Sequence, residues 1–147
     1  MFFNIGGNEK TQALKNCRSQ CERFLLDEES EEIRDLIHVI SAIVIYFETG
    51  SKEIAGEWVN DIWSKLIPET NLSFFEIRLL TAVLFTELNI KKVIEMTKTL
   101  FNQLEIYKFH KDYMKVKIAI NLNILDILMS ARSFVRQYKS DYDEYVL

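Results

Sequence analysis

The sequence predicts an all-α protein of about six helices, built as stacked antiparallel helical hairpins or as a compact helical bundle. Three observations point there. The 147 residues include only four Gly and one Pro, too few for the many turns of a β-sandwich or barrel. Apolar residues, 48% of the chain, recur at steps of three and four along most of its length. Ser and Asn stand at the points where a new apolar period begins, as helix caps do.

The first helix runs from about Asn8 to Leu26, with Leu14, Cys17, Cys21, Phe24 and Leu25 as its apolar stripe and Gly6-Gly7 as a flexible start. Asp27-Glu28-Glu29 ends it, and Ser30 caps the second helix, whose Glu31 and Glu32 suit the positive helix end. There Ile33, Leu36, Ile37, Ile40, Ile43, Val44 and Phe47 form the stripe, and Gly50 supplies the stop.

Ser51 begins the third helix, with Ile54, Trp58, Ile62 and Leu66 on one face, Trp63 at an edge and Pro68 closing it. Ser73 caps the fourth, with Glu76 three residues on completing a capping box, and Ile77, Leu80, Leu84 and Phe85 form its core stripe. Asn89 caps the fifth, from Ile90 to about Tyr107, which buries Val93, Met96, Leu100, Leu104 and Tyr107. Asp112 opens the sixth, which reaches towards Tyr138.

The length fits one domain over residues 1–147, with the first hairpins in 8–66. Ile33-Arg34-x-Leu36 and Ile77-Arg78-x-Leu80 lie 44 residues apart, each opening a helix that a second helix follows. A hairpin cannot bury its own apolar face, so such units stack side by side.

Composition excludes several functions. The net charge of −4 leaves no surplus of Lys and Arg for neutralising phosphates, so DNA contact by this chain alone is not expected. No run is long and apolar enough for a membrane span, and no leader is read at the start, so the expected site is the cytoplasm. Cys17 and Cys21 read as two thiols in a reducing compartment, without the further ligands that zinc needs. His38 and His110 lie outside any nucleophile arrangement, so neither catalysis, nor a metal, nor a cofactor is expected.

Asn123 stands out because Val116, Ile120, Ile124, Ile127 and Ala131 share its side of the sixth helix. An amide in such surroundings needs a partner, either a neighbouring helix or the backbone of an extended peptide. Arg78 offers a planar fork for a carboxylate, or a surface pair with Glu48 or Asp112. Asn121, on another face of the sixth helix, is the third candidate.

Phe74-Phe75-Glu76-Ile77-Arg78-Leu79-Leu80, followed by Ile120-Asn121-Leu122-Asn123-Ile124-Leu125, resembles the C-terminal regulatory domain of Rgg/GadR/MutR-type transcription regulators. The resemblance covers roughly 66–138, most clearly 72–138. It implies a TPR-like array of helical hairpins, a short signalling peptide, for which Asn123, Arg78 and Asn121 are the candidate contacts, and a homodimer. DNA would be reached only through a helix-turn-helix domain that this chain does not contain. The sequence departs from that family at Leu72, where the family usually has Trp, and in having no turn signal between Ile124 and Arg132. The alternative is a stand-alone helical protein-interaction module without a peptide ligand, whose exposed apolar face makes a homodimer or docks a partner, with the tail from Tyr138 to Leu147 packed across the interface.

Overall fold

The computed structural model describes the backbone of residues 2–67 and 71–146 and the side chains of residues 9–67 and 71–130. Those residues form seven α-helices: α1 (Phe2–Asp27), α2 (Glu31–Thr49), α3 (Lys52–Glu57), α4 (Asn60–Leu66), α5 (Phe74–Val83), α6 (Ile90–Leu104) and α7 (Tyr113–Val146). Short 3-10 turns, Leu84–Thr86 and Glu105–Tyr107, extend α5 and α6.

Local chemistry sets most of the boundaries. The Ser30 hydroxyl accepts from the Ile33 N–H, and Gly50 ends α2 in the left-handed region at φ 70°, its N–H donating to the Tyr46 carbonyl. Ser73 and Glu76 make both hydrogen bonds of the capping box at α5. Asn89 accepts from Lys91 and Lys92 at the start of α6.

Three boundaries differ from expectation. α1 begins at Phe2 and takes in Gly6-Gly7, where a flexible start was expected. The expected third helix is two, because Trp58 and Val59 donate back to Ala55 and Gly56 in a tightened turn and Val59 adopts φ −120°, ψ 0°. α7 runs well past Tyr138, unbroken through Ala131. The expected stop at Pro68 and the packing of the tail lie outside the described residues.

The break before α4 rotates its face. Ala55, Val59, Ile62, Trp63 and Leu66 enter the core, whereas Ile54 and Trp58 are exposed. The two tryptophans therefore take roles opposite to those the spacing predicts: Trp63 is 8% exposed and Trp58 43%. A continuous 100° step from Ser51 gives the wrong face, since the turn at Trp58-Val59 resets it. Similar smaller shifts expose Cys17 and Phe24 on α1 and Phe47 on α2, while Val39 and Ala42 are buried instead.

Apart from α3 and α4, each helix packs on its neighbour in the chain, and α2, α5 and α7 also contact one another in series. Antiparallel pairing within a hairpin is marked by Lys65 at the end of α4, which bonds Glu31 and Asp35 at the start of α2. Likewise the Tyr107 hydroxyl, after α6, donates to the Leu72 carbonyl just before α5. By contrast, Tyr46 and Phe85 meet at 4.9 Å between ring centroids, end of α2 against end of α5. So α2, α5 and α7 run parallel, with α3, α4 and α6 as the return helices. This is the arrangement of stacked hairpins. α5 lies at the centre, with Ile77, Leu80, Val83 and the following Leu84 fully buried. Among the described residues no helix is long and apolar enough to cross a membrane.

Candidate functional site

Between the parallel helices α5 and α7 lies an open groove of about 350 Å³. Arg78, Thr81 and Ala82 line one wall, and Asp112, Lys115, Val116, Ala119 and Asn123 the other. Ala82 and Ala119 leave the space between the walls, being short where neighbouring positions carry bulky side chains. Arg78 and Asn123, two of the three residues singled out in the sequence, thus share one site. Asn121 does not join them; it is exposed and outside the groove lining.

Asn123 is half-buried and donates from Nδ2 to the Thr81 carbonyl at 3.0 Å. That carbonyl lies where α5 tightens into a 3-10 turn, and it also accepts from the Leu84 N–H. The Thr81 hydroxyl is turned inward and donates to the Ile77 carbonyl at 2.8 Å. The amide's donor is therefore used inside the fold, tying α7 to the end of α5. Asn123 Oδ1 has no hydrogen-bond partner among the described residues, and an amide oxygen can accept two.

Arg78 is exposed and forms no ion pair among the described residues. The surface pairs weighed for it are taken elsewhere: Glu48 holds Lys15 at 2.7 Å, and Asp112 faces Lys115 at 3.7 Å. The guanidinium and the Lys115 ammonium against one carboxylate give the groove a net positive lining. Such a lining suits an anionic group, which Arg can hold in bidentate fashion.

Helical spacing could have supplied the rest of the site. Thr81 and Ala82 stand three and four residues after Arg78, and Ala119 and Lys115 stand four and eight before Asn123. What spacing could not give is the pairing of these two faces, which depends on α5 and α7 running side by side.

The other candidates have structural surroundings. His110 stacks on Phe74 at 3.9 Å, and its Nδ1 accepts from the Asp112 N–H, fixing the entry to α7. His38 meets the edge of Trp58 at 6.4 Å. Cys17 and Cys21 are free thiols, and burial and the neighbouring Cys17 push the Cys21 thiol up from its usual range, away from a reactive thiolate. No group of three or more His, Cys, Asp or Glu that could hold a metal occurs among the described residues. A second groove, of about 490 Å³, lies between the return helices and includes Trp63, Ile67, Met96 and Thr99. It holds Trp63, read from the sequence as an edge residue, but none of Asn123, Arg78 and Asn121.

No family model, no curated protein and no solved structure matches the chain.

Proposed function

We propose that the chain is a peptide-sensing, dimer-forming regulatory domain of a bacterial transcription regulator, working in the cytoplasm and reaching DNA only through a separate domain. The observation that carries this reading is the convergence of Arg78 and Asn123, from two different helices, on one positively lined groove. In this reading the Arg78 guanidinium takes the carboxylate of a short peptide, and Asn123 Oδ1 accepts from a peptide N–H. Ala82, Val116 and Ala119 then contact one apolar side chain of the ligand. The resemblance in residue order between 72 and 138 supports the same assignment.

The test is native mass spectrometry of the purified chain after incubation with the small-peptide fraction of its host's spent culture medium. The expected result is one saturable adduct of peptide mass, weakened at least tenfold in Arg78→Ala and in Asn123→Ala. A spectrum of protein alone overturns peptide sensing and favours the second reading, a helical interaction module without a peptide ligand. That second reading has its own support, the row of exposed apolar side chains on α7.

A further inference from the structure

α7 is apolar on two opposite sides. Val116, Ile120 and Ile127 face the core, and at 100° per residue the side directly opposite carries Met114, Ile118, Leu122, Leu125 and Met129. Each of these five is between 51% and 60% exposed. A row of large apolar side chains this continuous is unusual on a surface left in water.

With Asn121 added at its edge, the row has a symmetric spacing. Met114, Ile118, Asn121, Leu122, Leu125 and Met129 follow one another in steps of four, three, one, three and four. A two-fold axis between Asn121 and Leu122 sets Ile118 of one copy against Leu125 of the other, and Met114 against Met129. Each contact then occurs twice, as an isologous interface requires. A charged pair also fits this axis. Lys115 and Asp126 lie on the same edge of the row, and the axis brings the Lys115 of one copy within about two residues of the level of the Asp126 of the other. Among the described residues Lys115 pairs with Asp112 alone, at 3.7 Å, and is 83% exposed, and Asp126 forms no ion pair. Asn121, the candidate that the peptide groove leaves out, falls at the axis, where one central amide can fix the register of paired helices.

We infer that a second copy of this chain covers this face, α7 packing antiparallel on its symmetry mate about an axis between Asn121 and Leu122. The inference rests on the dimer-forming half of the proposed function; it shares Lys115 with the peptide groove, while the apolar row itself lies on a different side of α7 from Val116, Ala119 and Asn123. About this axis the two copies of α7 lie side by side over residues 113–130, a seam about 27 Å long.

The test combines mass measurement in solution with disulfide trapping in the full chain carrying Cys17→Ser and Cys21→Ser. Leu122→Cys sets two thiols beside the axis, so diamide is expected to link the copies within minutes. Met129→Cys sets its two thiols about 22 Å apart in the same arrangement, so it is expected to stay unlinked. Ile118→Glu with Leu125→Glu is expected to raise the dimer dissociation constant at least a hundredfold while leaving the helical circular dichroism unchanged. Ready linking through Met129→Cys overturns the antiparallel arrangement. A wild-type dimer that neither links through Leu122→Cys nor responds to the glutamates overturns the interface and leaves the dimer-forming reading standing. A wild-type monomer at high micromolar concentration overturns both.

Discussion

Asn123 Nδ2 lies 3.0 Å from the carbonyl oxygen of Thr81, a bond that spans two helices and 42 residues of sequence. It joins α7 to the point where α5 stops being an α-helix, and both its residues line the groove that Arg78 also lines. One side chain thus has a structural donor and, on the same amide, an acceptor with no partner among the described residues.

These two halves can be separated by substitution. Asn123→Ala loses a partly buried hydrogen bond and should cost about 1 kcal/mol of stability. Asn123→Asp removes the donor and sets a carboxylate against the Thr81 carbonyl, so it should cost about 2 kcal/mol at neutral pH and less once the carboxylate is protonated. Urea denaturation of both variants at pH 7 and pH 4 checks the order.

The tryptophans give a prediction opposite to the one that spacing alone supports. Trp63→Ala empties a core position packed with Ile62 and Leu66 and should cost about 3–5 kcal/mol. Trp58→Ala removes a ring that is 43% exposed and touches His38 at its edge, so it should cost about 1 kcal/mol. Emission spectra of Trp58→Phe and Trp63→Phe provide a second check, since the buried indole should emit at the shorter wavelength.

Gly50 is the turn between α2 and α3, and its φ of 70° favours glycine. An added Cβ would meet nothing within 4 Å, so Gly50→Ala is penalised by backbone conformation alone. The expected loss is about 1 kcal/mol, with no change in the rest of the fold. Thermal unfolding followed by circular dichroism measures it.

Lys65 joins the end of α4 to the start of α2 through Asp35 at 2.6 Å and Glu31 at 3.0 Å. Burial works against its charge, but the hydrogen bonds to Asp35 and Glu31 and their negative charges outweigh it and raise the pKa above the usual lysine value. A raised pKa in the folded state means that the contribution is complete below the unfolded value, about 10.4, and is lost as pH rises through the folded one. The ammonium is partly exposed and screened, so the expected effect is small, about 0.5–1 kcal/mol. Lys65→Met should therefore be less stable than wild type at pH 7, and the gap should close as the pH rises through the raised folded-state pKa, as urea denaturation across that alkaline range would show.

Where an element depends on its own residues, the sequence was enough. Ser30, Gly50, Ser73 with Glu76, and Asn89 set helix ends through hydrogen bonds or backbone angles that involve only residues a few positions away. The stripe of α6 was legible too, because Val93, Leu100 and Leu104 lie on a helix unbroken from Ile90. The split of the third expected helix was not, because no Pro marks Trp58-Val59 and its tightened turn is stabilised by what Val59 and Trp63 bury.

The sequence by itself determined that this chain is helical and where most of its helices begin, since caps and periodicity are short-range. It also marked Arg78 and Asn123 as residues in need of explanation. Tertiary structure decided which face of α3 and α4 turns inward, that Arg78 and Asn123 meet in one groove, and that α7 carries a second apolar row facing out. Each of those outcomes depends on which helices lie side by side, and contacts between helices far apart in the chain leave no periodic trace within either one.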